Sequence, residues 1–189
     1  METLLTDMET FTEAKPFVDN PRYQEKRKEA LNELDINTID PPIVELIKDY
    51  AMLPHCFTLQ SCYGHFAHEG QKDSKNVEQL SNYNESSMVD YRIAYIAFCI
   101  QNNDLGRKLY QDLKAITKID PDYIQFGSAD WFWQRNVNIY ALQVEPDRYK
   151  TKDEISVSIS EALHLEKARD QMFERLKKIL QEHQQLVSK

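Results

Sequence analysis

From Tyr91 to Ile100 the chain reads Tyr-Arg-Ile-Ala-Tyr-Ile-Ala-Phe-Cys-Ile. In an extended chain, Tyr91, Ile93, Tyr95, Ala97 and Cys99 point one way and Arg92, Ala94, Ile96, Phe98 and Ile100 the other. Both faces are apolar from Ala94 onward, so this strand needs cover on both sides and belongs in the middle of a sheet. We read it as one strand over Val89 to Ile100. A chain of 189 residues, 41% hydrophobic and 29% charged, is long enough to build one such core and short for two.

The flanking segments supply the layers. Asn20-Pro21 and Asp40-Pro41 both place an N-cap residue before a proline, a helix-start signal. Tyr23, Arg27, Ala30, Leu31 and Leu34 follow the first at helical spacing; Ile43, Val44, Leu46, Ile47, Tyr50 and Ala51 follow the second. Leu105, Leu109, Leu113 and Ile116 mark a third helix after Asn102-Asn103-Asp104. Tyr123 to Phe126, ended by Gly127, and Val137 to Val144 read as strands, with Trp131-Phe132-Trp133 between them. That aromatic cluster suits hairpin packing or stacking on a flat ligand. Ile155, Val157 and Ile159 alternate, and Ser158 to Glu161 has a capping-box pattern. Ala162, Leu165, Ala168, Met172, Leu176, Ile179 and Leu180 then carry a long amphipathic helix, in which His164 and His183 look like unremarkable helix residues.

The prediction is a single α+β domain over 21–189: a mixed sheet, two N-terminal helices and a long C-terminal helix. Ile96, Phe98, Ile100, Leu109, Leu113, Ile139, Leu142 and Leu176 are its expected core. Residues 1–20 carry five acidic residues against Lys15 alone and read as a loosely held acidic arm. Residues 69–87 form a polar excursion with Val77, Leu80 and Tyr83 as its anchors, free to close over a neighbouring site.

No apolar run approaches the roughly 18 residues a membrane span needs. The first residues lack the basic start and apolar run of a signal peptide, so a cytoplasmic protein is expected. Three cysteines, an odd number, fit reduced thiols. The net charge of -8 disfavours nucleic acid as a partner and favours a small-molecule ligand. The most basic helix, with Arg22, Lys26, Arg27 and Lys28, is diluted by Glu25 and Glu29 and reads as a solvated face.

Chemistry concentrates between Pro54 and Gly70. This stretch holds two of the three cysteines, three of the five histidines and two of the four glycines. Phe57, Thr58, Leu59 and Tyr63 suit a strand, and Gly64 suits a tight turn. A strand that delivers Ser61, Cys62 and His65 into a turn is a candidate site, lined by those residues and Gly64 and capped by part of the polar excursion. Cys62 could be a nucleophile with His65 as its base, because a thiolate needs a basic or positive neighbour; a buried, inert thiol is the competing reading. His55, Cys56, Cys62, His65, His68 and Glu69 are all able metal ligands. A Cys-x-x-Cys pair is lacking and alternate strand residues face apart, so no metal is assigned.

The segment Phe57-Thr58-Leu59-Gln60-Ser61-Cys62-Tyr63-Gly64-His65 resembles the signature of the wybutosine-synthesising tRNA methyltransferase family, the enzyme acting third in that pathway. Thr58, Ser61, Cys62 and Gly64 match the family's residues; Gln60 and Tyr63 replace serines, and His65 replaces an arginine. The likeness extends to the opening helices, from Lys26 to Leu31 and from Ile39 to Ile43, and more coarsely over residues 20–183. It implies methyl transfer from S-adenosylmethionine to a ring nitrogen of a modified tRNA guanosine. Thr58, Ser61 and Gly64 would hold the cofactor, and His65 and Cys62 would be the catalytic pair. A histidine is mostly neutral where an arginine is a fixed cation, which separates this chain from the family at that position. The alternative is a small-ligand-binding or regulatory module of the same fold with no tRNA activity.

Overall fold

The computed structural model describes residues 11–68, 80, 88–149 and 152–188. The predicted Val89–Ile100 strand is two strands. β4 (Met88–Arg92) and β5 (Ala94–Ile100) are separated at Ile93, and they belong to different sheets. β4 buries alternate residues only, Val89 and Tyr91, while β5 is apolar on both faces. The change of pattern at Ala94 is therefore a change of sheet. The Tyr91 hydroxyl ties the break together, accepting from the Ala94 amide at 2.9 Å and donating to the Val144 carbonyl at 2.9 Å.

Both sheets are antiparallel throughout, not one mixed sheet. The larger one runs β1 (Phe11–Glu13), β6 (Ile124–Ala129), β7 (Ile139–Val144), β5, β2 (Cys56–Cys62). The smaller one runs β3 (His65–His68), β4, β8 (Glu154–Ser158). The helices are α1 (Tyr23–Glu33), α2 (Val44–Met52), α3 (Asp104–Ala115), α4 (Asp130–Arg135) and α5 (Ile159–Val187). The two N-terminal helices and the long C-terminal one stand where the sequence places them. Ser158 caps α5 by accepting from the Glu161 amide at 3.2 Å, and Asn103 caps α3 by accepting from Gly106 at 2.8 Å. Trp131, Phe132 and Trp133 lie on the short helix α4 rather than in a hairpin.

β5 lies fourth in the larger sheet, between β7 and β2, and its two faces feed two cores. Ile96, Phe98 and Ile100 join the large core with α2, α3, α5 and the smaller sheet. Ala97 and Cys99 join a smaller core with Tyr23 of α1, Phe57 and Phe132 of α4. All eight core residues named from sequence are fully buried, as is Leu80 within the polar excursion. The rest of that excursion lies outside the described residues, and so does its proposed role as a cap.

Residues 11–20 are not a loose arm. β1 pairs with β6, and beyond it the chain is held by Asn138, which accepts from the Val18 amide and donates to the Val18 carbonyl, both at 2.9 Å. Asn138 is buried at φ 60°, a backbone conformation asparagine tolerates better than most residues. Residues 1–10 lie outside the described residues.

Leu113 projects from α3 into the large core and has no exposure. Leu113→Ala should destabilise by about 2–5 kcal/mol, read by chemical denaturation. A cost below about 0.5 kcal/mol would mean that α3 does not pack there.

Candidate functional site

The Pro54 to Gly70 stretch is divided by the fold among three places. Its first residues serve the large core. The His55 ring is buried and 3.0 Å from the His183 ring, whose other nitrogen meets Asp112 at 2.9 Å. Burial, then the neighbouring His183, pushes His55 down to about 4, so it stays neutral. Cys56 is a buried thiol that donates to the Tyr50 carbonyl at 3.6 Å. His183, an unremarkable helix position by sequence, is thus a fully buried partner in a polar chain.

Cys62, Gly64 and His65 sit at the crossing between sheets. β2 ends at Cys62 in the larger sheet and β3 begins at His65 in the smaller one. Gly64 lies between them at φ 90°, and a Cβ there would stand 2.8 Å from the Ala94 Cβ. Ala94 is where the second connection between sheets, β4 to β5, passes. Glycine is required here by backbone angle and by contact. Its amide is directed to the Cys62 sulfur and its carbonyl accepts from Arg169 at 3.4 Å, so this turn does not offer an open anion nest.

Asp40 closes the same crossing. Its Oδ2 accepts from the Tyr63 amide at 2.7 Å and lies 3.1 Å from His65 Nε2, and its carboxylate also accepts from the Cys62 thiol. Burial above all pushes Cys62 up to about 11, which leaves it protonated at neutral pH. A poised nucleophile needs the opposite shift. Neither Cys62 nor His65 lines the groove described next.

Thr58, Gln60 and Ser61 line a cavity, Gln60 from the second face of the sheet and Thr58 and Ser61 from the opposite face at its edge. A register shift in the β2–β5 pairing between Thr58 and Gln60 marks a bulge, which re-aims the strand. The second face of the larger sheet is covered by α1 at one side and α4 at the other. Between them it carries Tyr95, Ala141 and Gln143, small or polar residues that leave a groove. One cavity of about 740 Å³ runs along α1 and the end of β2 past Thr58 and Ser61. A second of about 420 Å³ continues beneath Trp131 and Phe132. The two share Gln60, Tyr95 and Asp153. Arg135 lies over Trp131, 3.3 Å from the ring centroid, while Trp133 turns inward and donates to the Ile139 carbonyl at 2.7 Å.

Glu145 lines the smaller cavity, where sequence reading saw only a strand end before Pro146. The residue is 1% exposed, yet its Oε1 has no hydrogen-bond partner. Oε2 accepts from Gln143 at 2.7 Å. Burial, reinforced by Asp153, outweighs that bond and the Lys152 amide and pushes the carboxyl up to about 8. An acid at the end of an otherwise apolar strand was the available signal.

Groove cations and acids offset each other: Lys26, Arg92, Arg135 and Lys152 stand among Glu29, Glu33, Asp35 and Asp153. The three cysteines are unpaired and buried. No helix among the described residues is long and apolar enough to cross a membrane.

No family model and no curated protein matches this chain. Among solved structures it is similar to the PH1069 protein from Pyrococcus horikoshii, with 17% identity and a TM-score of 0.48 over 86% of this chain and 96% of that one. It is also similar to a hypothetical protein from Aeropyrum pernix, with 12% identity and a TM-score of 0.38 over 78% and 99% of the two chains.

Folded Glu145 keeps a proton that an unfolded glutamate loses above its ordinary value of 4.5. Between about 4.5 and about 8 the native state therefore holds more protons than the unfolded state. Stability should fall as pH rises through that window, by at most about 1.4 kcal/mol per unit, and level off above it. Glu145→Gln should gain on the unaltered protein across the same window in denaturant melts. Parallel curves would show that the carboxyl is not held neutral.

Proposed function

We propose that the groove binds S-adenosylmethionine beside a small nucleobase-like acceptor and carries methyl transfer between them. The observation that supports this reading most is the position of Thr58 and Ser61. These two residues, shared with the wybutosine methyltransferase signature, line the larger cavity, which adjoins the aromatic one at Gln60, Tyr95 and Asp153. Two adjoining cavities suit a transfer between two bound molecules. Their walls fit a nucleoside cofactor: hydroxyls at Thr58 and Ser61, an amide at Gln60, and flat rings at Tyr95 and Trp131.

The bound sulfonium would supply an activated methyl group, so the protein's task is chiefly to position the two reactants. An acceptor ring nitrogen that gains a methyl group must lose its own proton. Glu145, at the wall of the smaller cavity, would receive it in its ionised form. His65 is held by Asp40 at the crossing and does not reach. The balance of charge along the groove favours a small acceptor over tRNA, whose phosphates call for a net positive face.

Calorimetry with S-adenosylmethionine and its demethylated product tests the reading. Both should bind, and Trp131→Ala should weaken binding by roughly 1–2 kcal/mol, the scale of one stacked ring. Absence of both heat and thermal shift at millimolar ligand would remove the methyltransferase reading. Binding of both compounds without transfer to any nucleobase would leave a ligand-binding module.

A further inference from the structure

We propose that Asp40, Cys62 and His65 form a binding site for a divalent cation of the zinc class at the crossing between the two sheets. The donor atoms of these three residues lie within 4.8 Å of one another. They come from three separate places: the residue before the Pro41–Ile43 turn, the last residue of β2 and the first of β3. A carboxylate, a thiolate and an imidazole together are a zinc-type donor set. Ligands about 2.0–2.3 Å from a tetrahedral ion stand roughly 3.3–3.8 Å apart. The His65 Nε2 to Asp40 Oδ2 distance is already 3.1 Å, and drawing the three donors in from within 4.8 Å of one another would complete the set.

Three further features fit a cation. The first is the state of His65: it is nine-tenths buried with Nε2 turned toward Asp40, so its ring is already aimed at the carboxylate with which it would share an ion. The second is orientation. The Tyr63 amide fixes the Asp40 carboxylate and the Gly64 amide is directed to the Cys62 sulfur, the kind of outer contact that aims metal ligands. The third is charge. A divalent ion with one carboxylate and one thiolate is neutral as a unit, which suits a buried place. Binding would release the thiol proton to solvent, and a water would fill the fourth position. The site is separate from the groove and does not depend on the methyl-transfer reading.

Untagged, chelator-treated protein titrated with Co²⁺ is the direct test. The expected result is one equivalent bound, with a thiolate-to-cobalt charge-transfer band that Zn²⁺ displaces, and a rise in Tm on adding Zn²⁺. Cys62→Ser should abolish the band. Cys62→Ser and Asp40→Asn should each weaken Zn²⁺ binding by more than the roughly 10–100-fold typical of outer-contact changes. The band is read on the unaltered chain, so a variant that fails to fold does not blunt the test. Cobalt bound without a thiolate band, a band that survives Cys62→Ser, or no binding at excess metal would each overturn the proposal.

Discussion

The contact between Gly64 and Ala94 holds this fold together. Three connections pass between the sheets, and the first two, β2 to β3 and β4 to β5, meet at this point. With 2.8 Å between a hypothetical Gly64 Cβ and the real Ala94 Cβ, no side chain is accommodated without moving one of them. Tyr91 on one connection and Arg169 of α5 on the other complete the junction, bonding Ala94 and the Gly64 carbonyl respectively. Arg169 also lies 4.2 Å from the Tyr63 ring centroid, so a buried cation spans the crossing on its helix side.

That closure decides where a ligand can go. Most backbone and side-chain polar groups at the turn are engaged with one another, and without a bound ion the Cys62 thiol stays protonated. Beyond the bulge in β2, Gln60 lies on the sheet face that α1 and α4 leave partly bare, while Thr58 and Ser61 line the larger cavity from the strand's other face. One short segment thus carries a sealed polar cluster and one wall of an open groove. The groove keeps its own titratable group in Glu145, which burial rather than a charge partner holds near neutral pH.

Much of the scaffold was legible. Helical spacing located α1, α2, α3 and α5, the cap at Ser158 fixed where α5 begins, and apolar alternation named core residues that are all buried. The break at Ile93 was hidden because strand periodicity continues across it; only the loss of polar residues on one face after Arg92 marks it. Strand direction is not written in periodicity, so two antiparallel sheets read as one mixed sheet. β1 is three residues of mixed polarity on a sheet edge, too short to stand out from an acidic terminus. Of the site, the segment was found but its sides were not. Asp40 lies 22 residues before Cys62 in sequence and reaches it only through the fold, and Glu145 declares itself only when its burial is known.

The account turns on the groove, not the turn, being the ligand-binding surface. Amide and indole NMR spectra recorded during titration with the demethylated product of S-adenosylmethionine test this most directly. The predicted result is a set of shifts at Gln60, Ser61, Tyr95 and the Trp131 indole, with Gly64 and His65 unmoved. Shifts centred on Cys62 to His65, with Trp131 unaffected, would contradict it.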